Sequence, residues 1–358
     1  MHRSKIIFGK RLMKHAQKIF NSICLLVIFA LFGCGSGSEQ TTVEPPVGQQ
    51  TFQEYITSQN FSGSVLIIQD GNTLLNQGFG FSDRSNAVNN SPDTIFRLAS
   101  VTKQFTAMAI MILQERGLLS IDDMVSTHIV DYPNGEQITL KHLLTHTSGT
   151  PNFTALPEYN AARFQYHTPT ELVAIFKDLP LDFTPGSRYS YSNSGYILLG
   201  LIIEQVSGQF YADFIEQEIF AVLGMDNSEY GSSDLGINNT AKGYKQDGRE
   251  SDAIDMSVPY SAGALSSTLN DLYKWDQSFY QDALVSAATK AMIYTSSLNN
   301  YGLGWVINTN NYYHNGGIDG FSTYIGRDPS QNRLIVVLSN VERFPSTDLA
   351  NHLATMIP

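Results

Sequence analysis

The sequence predicts a mixed α/β (α+β) fold. An antiparallel sheet built from N- and C-terminal strands is flanked by helices, with a mostly helical subdomain inserted between the two groups of strands. Three observations lead there. Strand-like segments cluster at residues 62–81 and again at 301–339. The stretch from about 120 to 260 is polar, helical in pattern and punctuated by Pro and Gly. Helical segments bracket both groups of strands, so the simplest layered arrangement pairs the two ends of the body in one sheet covered by helices.

Each element has a local reason. Thr51 is a plausible N-cap for the helix that follows, with Glu54 three residues on as in a capping box. Residues 62–69 read as a strand, Asp70-Gly71-Asn72 as a hairpin turn, and residues 73–81 as the returning strand. An extended segment at 94–97 gives way to a helix in which Phe105, Met108, Ala109, Ile112 and Leu113 form an apolar stripe. Residues 193–206 form a second strong helix, with Tyr196, Leu199, Ile202 and Ile203 on one face. Residues 267–280 form a third, striped by Leu269, Leu272, Trp275 and Phe279. Four short strands follow at 301–307, 311–314, 321–327 and 333–339, and residues 345–357 close the chain as a helix.

The bulk composition narrows the function. The chain has 358 residues, 42% hydrophobic and 15% charged, which is ample material for a core. Its formal net charge is −11, and basic clusters are missing after residue 18, which argues against a nucleic-acid partner. The first 18 residues instead carry six basic side chains and no acid, followed by an apolar run at 23–32. That is a signal-peptide pattern, too short to span a bilayer comfortably. Leu31-Phe32-Gly33-Cys34 then resembles a bacterial lipobox, in which the cysteine becomes a lipidated N-terminus. The expected organisation is a lipoprotein signal peptide over 1–33, a lipidated Cys34 and flexible linker over 34–50, and a catalytic body over 51–358. Loss of residues 1–33 would take the formal charge to −17. The implied location is the cell envelope, on the periplasmic face of the outer membrane, with the membrane contacted through the lipid. Met13 offers an alternative start that gives a more typical signal length. Cys24 and Cys34 are the only cysteines, so the body has neither a disulfide framework nor a thiolate site.

Ser100-Val101-Thr102-Lys103 carries the chemistry. A serine and a lysine three apart on a helix share one face, so the lysine can take the serine's proton and make a nucleophile. The position at a helix start adds backbone N–H groups that favour developing negative charge. Alone, such a pair is as often an exposed Ser/Lys pair on a surface helix. Tyr191-Ser192-Asn193 sits between Pro185-Gly186 and a helix start, where Tyr191 can return a proton to a leaving group and Asn193 can bind Lys103 or a substrate amide. His314-Asn315-Gly316-Gly317 ends a strand in glycines that let backbone approach substrate, with the Gly317 N–H as an oxyanion donor beside that of Ser100.

Taken together, Ser100-x-x-Lys103, Tyr191-x-Asn193 and His314-x-Gly316 resemble, in order and rough separation, the motifs of the serine beta-lactamase and penicillin-binding superfamily. The likeness is to its class C beta-lactamase-like branch, which includes D-alanyl-D-alanine peptidases, esterases and D-amino-acid peptidases. Residues 143–149, 262–268 and 301–305 are similar to further stretches of that branch, and the similarity covers about residues 51–358. It implies a beta-lactamase/transpeptidase-like fold, an acyl-enzyme on Ser100, proton work shared by Lys103 and Tyr191, and Asn193 and His314 holding the network. Ser100, Gly316 and Gly317 would bind the oxyanion and substrate. The partner is then a small-molecule or peptide ester or amide, and no cofactor is called for.

Two other patterns are set aside. Tyr132-Pro133-Asn134 repeats Tyr-x-Asn but is read as structural. His142 and His146, four apart on a helix, lack the Glu of a zincin, so no metal is expected. The absence of Gly-x-Ser-x-Gly argues against an alpha/beta-hydrolase. The competing functions are a non-catalytic or slowly turning over penicillin-binding or sensor lipoprotein of the same fold, and a surface lipoprotein that binds a partner. Either is marked by a broken motif, and none is broken here. His314 in place of a fixed cation favours short esters or uncharged amides over beta-lactams, with a D-alanyl peptidase as the runner-up, because the resemblance extends to relatives of that type with His in the third motif.

Overall fold

The computed structural model describes residues 50–231, 239–309 and 311–357; the expected signal peptide, Cys34 and nearly all of the linker lie outside them. The first helix, Phe52–Ser58, starts in the expected capping box: Glu54 N–H donates to Thr51 Oγ1 and the Glu54 carboxylate accepts from the Thr51 N–H. Strand β1 (Gly63–Gln69) turns through Asp70 and Gly71, both at positive φ, into β2 (Asn72–Phe79). A small hairpin of β3 (Phe81–Asp83) and β4 (Val88–Asn89) follows, and then β5 (Phe96–Arg97). The middle of the chain adds β6 (Glu229–Tyr230) and β7 (Leu265–Ser267). The C-terminal part supplies β8 (Val306–Ile307), β9 (Tyr312–Ile318), β10 (Phe321–Asp328) and β11 (Arg333–Ser339).

The main sheet runs β2-β1-β11-β10-β9-β8, all antiparallel, so the two ends of the body meet at β1 and β11, as expected. Side chains alternate across it. Val65, Ile67, Ile335 and Val337 face the first helix and the C-terminal helix Ser346–Met356. Leu66, Ile68, Leu334, Val336 and Leu338 face the main helical core. Both faces are covered, which is why β1 and β11 read as nearly unbroken apolar runs.

At the centre lies the helix Thr102–Glu115. Twelve of its residues, Thr102 through Leu113, are buried, so the expected one-sided stripe is corrected to burial all round. Its polar groups are met inside: Trp275 Nε1–H donates to Gln104 Oε1 at 3.0 Å, and Thr106 Oγ1 donates to the Ser261 carbonyl at 2.6 Å. The Asn193–Ser207 helix packs against it and is likewise mostly buried.

Four other expectations are corrected. Residues 301–307 are a loop rather than a strand up to Val306: Gly304, at φ +77, approaches so closely that a Cβ there would lie 2.6 Å from the Lys103 carbonyl oxygen. Strand β9 does not end at His314 but continues through Gly316 and Gly317, paired with Thr323 and Ser322 of β10. Ser267 belongs to a strand, and its helix is Leu269–Gln277, capped by Thr268. The small sheet β5-β7-β6 was not anticipated.

Candidate active site

The small sheet presents Ser100, the candidate nucleophile. β5 pairs with β7 and leads directly into a single helical turn, Ala99–Val101, in front of the central helix. The Leu98 N–H donates to the Leu265 carbonyl at 2.8 Å, the Leu98 carbonyl accepts from Thr323 Oγ1 at 2.8 Å, and Thr102 Oγ1 accepts from the Leu265 N–H at 3.1 Å. Ala99 is held at φ +50, a conformation that costs a residue with a Cβ. Ser100 therefore projects from a strained, well-tied corner. It lines a cavity of about 180 Å³ with Asn193, Ala262, Gly317 and Ile318 among its walls. No charged side chain lines that cavity among the described residues.

Lys103 is wholly buried behind the serine. Its Nζ lies 3.3 Å from Ser100 Oγ, 2.8 Å from Asn193 Oδ1 and 2.8 Å from the Ala262 carbonyl oxygen. Burial holds its ammonium well below the usual lysine range. A neutral amine has two N–H donors and one lone pair. The two pure acceptors, Asn193 Oδ1 and the Ala262 carbonyl, take the donors, and the lone pair is left for the Ser100 hydroxyl. The Asn193 amide is oriented by its own Nδ2, which donates to Thr154 Oγ1 at 3.1 Å. Asn193 opens its helix, and its N–H donates to Asn152 Oδ1 at 3.0 Å.

Tyr191 stacks its ring 4.9 Å from Lys103 Nζ. Its hydroxyl is buried without a hydrogen-bond partner among the described residues, and nearby Ser100 partly offsets the effect of that burial on its pKa. Burial is the larger effect and pushes the phenol up, so Tyr191 stands protonated at neutral pH.

His314 is buried and does not line the cavity. Its Nδ1 meets the Asn315 carbonyl oxygen at 2.6 Å and its Nε2 meets the Tyr301 hydroxyl at 2.9 Å. The carbonyl can only accept, so Nδ1 carries the proton and Nε2 accepts from Tyr301. Burial, with Lys103 nearby, lowers the imidazole pKa to about 3. His314 is thus a neutral positioning group rather than one that touches substrate. Gly316 is also reassigned. A Cβ there would lie 2.3 Å from both the Leu98 carbonyl oxygen and Thr323 Oγ1, so this glycine lets β9 lie against the nucleophile's turn and does not face the cavity. Gly317 does line the cavity, with open space beside its Cα.

Two site residues carried no role in the sequence reading. His146 is buried among aromatic rings, 4.2 Å from Tyr191 and 4.7 Å from Tyr301 by centroid. It does not share a helix with His142: the helix Leu140–Leu144 ends before it, and His146 sits at φ +57, accepting the Ser192 N–H through Nδ1 at 3.2 Å. Burial, then Lys103 and His314, hold it neutral. Tyr301 braces His314. Both lie in stretches, 143–149 and 301–305, whose family likeness was the available signal.

A serine served by a buried lysine, at the seam between a helical layer and an antiparallel sheet, defines a serine hydrolase of the beta-lactamase and penicillin-binding superfamily. The chain belongs to the beta-lactamase family, whose model matches residues 49–355. Penicillin-binding protein 4* of Bacillus subtilis (strain 168) is 31% identical over 322 residues, covering 82% of this chain and 71% of that protein. The crystal structure of a penicillin binding protein from Bacillus halodurans matches with a TM-score of 0.77 at 26% identity, over 86% of this chain and 100% of that one. D-amino acid amidase from Ochrobactrum anthropi SV3, complexed with L-phenylalanine, shares the fold with a TM-score of 0.73 at 24% identity, over 85% of this chain and 95% of that one.

Proposed function

We propose that the protein hydrolyses short-chain esters or uncharged amides through an acyl-enzyme on Ser100, as a member of the class C beta-lactamase-like branch. The observation that carries this reading is the environment of Lys103, whose Nζ lies 3.3 Å from Ser100 Oγ and 2.8 Å from two pure acceptors, Asn193 Oδ1 and the Ala262 carbonyl oxygen. The Ser100 Oγ–H proton passes to Lys103 Nζ as Oγ bonds to the substrate carbonyl carbon. The backbone N–H groups of Ser100 and Gly317 receive the oxyanion. Collapse breaks the bond to the leaving group, which takes a proton from the Tyr191 phenol. The Lys103 ammonium then restores the Tyr191 proton. Water repeats the sequence in reverse roles and frees the acid.

The substrate preference rests on the cavity. It is small, no charged side chain lines it among the described residues, and His314 is neutral and buried, which disfavours a substrate carboxylate there. Beta-lactams and D-alanyl-D-alanine peptides both carry that carboxylate. The test is a hydrolysis panel on the full chain and its Ser100→Ala variant, with p-nitrophenyl acetate and butyrate, a D-amino-acid amide, a D-alanyl-D-alanine peptide and a chromogenic cephalosporin. Ester or amide turnover that exceeds cephalosporin turnover and vanishes in Ser100→Ala is expected. A higher kcat/KM for the cephalosporin overturns the preference, and a stoichiometric burst without turnover favours a penicillin-binding sensor. We also propose lipid anchoring through Cys34. Cys34→Ser should leave the membrane fraction or stay unprocessed; unchanged membrane association with normal signal cleavage refutes the anchor.

A further inference from the structure

A second cavity, of about 770 Å³, shares no lining residue with the Ser100 cavity. The two meet at a short turn, Tyr260–Gly263: Pro259, Ala262 and Gly263 line the Ser100 cavity, and Tyr260 lines the larger one. Tyr260 sits at φ +39, an unusual conformation for a bulky residue. The walls of the larger cavity are aromatic: Tyr166, Phe210, Tyr230 and Tyr260. Tyr166 and Phe210 are 71% and 74% exposed, far more than folding alone would leave large rings.

Two of its polar side chains are carboxylates. Glu204 and Asp255 line it, and neither is in an ion pair among the described residues. Among the described residues no Lys or Arg lines it, and His167 is its only basic side chain. Glu204 Oε1 accepts the Tyr211 N–H at 2.9 Å and Asp255 Oδ1 accepts the Ser257 N–H at 2.9 Å, which leaves each carboxylate a second oxygen. Tyr260 is 4% exposed, and its hydroxyl makes no hydrogen bond among the described residues, although Glu204 is close enough to help burial hold its phenol up. Both carboxylates also act on Tyr230, so the acids and the rings face one space. Nearby, Arg163 already lies over the Phe164 ring at 4.6 Å, the kind of contact the empty ring faces can offer a ligand.

We propose that this cavity binds a small organic ammonium ion with an apolar body. The cation is held by Glu204 and Asp255, the body rests on Tyr166, Phe210 and Tyr230, and the Tyr260 hydroxyl supplies a polar partner at the floor. The pairing of carboxylates with aromatic faces distinguishes such a ligand from an anion, which both would repel, and from a neutral hydrocarbon, which would leave the acids unused.

The test is calorimetric titration of the full chain with benzylamine and with benzyl alcohol, its uncharged counterpart. Benzylamine should bind at least about tenfold more tightly. Glu204→Gln should weaken it about tenfold, and Ser100→Ala should leave its affinity unchanged. Phe210→Ala alters an exposed ring, keeps the fold, and should weaken binding about threefold; it decides the matter if Glu204→Gln is unstable. Equal affinity for the two ligands, or no effect of either variant, overturns the proposal. So does a competitive rise in KM for p-nitrophenyl acetate with benzylamine, which would put the amine at Ser100 instead. Because the readout is binding rather than turnover, it stands apart from failure of the ester reading.

Discussion

Asn193→Asp isolates the protonation state of Lys103. The substitution keeps shape and exchanges a neutral oxygen, 2.8 Å from Nζ, for half a carboxylate. Thr154 Oγ1, now the acceptor of Asn193 Nδ2, can turn its hydroxyl to donate to the new oxygen. At 2.8 Å, an effective dielectric of about 20 gives an attraction of about 6 kcal/mol between ammonium and carboxylate. That is worth about four pKa units at 1.36 kcal/mol each, and desolvating the new carboxylate returns roughly half. In the parent protein burial lowers the Lys103 pKa, and the rate should rise along the acid limb as Lys103 gives up its proton. The carboxylate favours the ammonium, so the acid limb of the pH profile of kcat/KM moves up by about two units. Rates on the acid side of the limb fall about a hundredfold and recover in alkali. Steady-state kinetics with p-nitrophenyl acetate from pH 5 to 10 reads this out. An Asn193→Asp limb that coincides with the parent's would refute a neutral Lys103 as the base, and so would a uniform loss at every pH.

Other outcomes follow from the same structure. Lys103→Ala and Tyr191→Phe should each lower kcat by about a hundredfold or more, with the double variant losing far less than their product because the two pass one proton; multiplicative losses in ester kinetics would show independent roles. Gly316→Ala sets a Cβ against the Leu98 carbonyl, so the nucleophile's turn must shift; kcat should fall about a hundredfold with little change in KM, and near-parental kcat would show that the turn is not held by that contact. Asp276→Ala strands the buried guanidinium of Arg327, whose Nε donates to Asp276 Oδ1 at 2.8 Å with both side chains 3% exposed. Urea unfolding should show a loss of at least about 3 kcal/mol, and a loss under 1 kcal/mol would mean that water reaches the pair.

Local signals in the sequence carried far. The Thr51 cap, the Asp70-Gly71 turn and the bounds of β11 follow from short-range rules, and the structure follows them. Ser100 and Lys103 are neighbours on a helix start, so their contact needed no tertiary knowledge. What stayed hidden depends on distant partners. Glycines weaken an isolated strand, so β9 was expected to stop before Gly316, but pairing along β10 carries it on to Ile318. The small sheet has strands of two and three residues, too short for any periodicity to declare itself. His146 looked like a helical partner of His142 because spacing says nothing of where a helix ends. His314 was expected to hold the catalytic network, but the partners that hold it in turn, Tyr301 and the Asn315 carbonyl, could not be read from its spacing.

The closure of the main sheet has a kinetic side. In the pairing of β1 with β11, Gly63 meets Ser339, 276 residues further along the chain. Contacts of such long range are slow to form, since the loop entropy must be met before the pairing repays it. β9 and β10, which hold His314 and Gly317 against the nucleophile's turn, also reach β1 only through β11. Hydrolytic competence therefore arrives late. A nascent chain that has already made Ser100 and Lys103 has no finished seat for them until its last strand has emerged, and a product cut short before β11 would carry the reactive pair and β9 and β10 without the strand that joins them to β1.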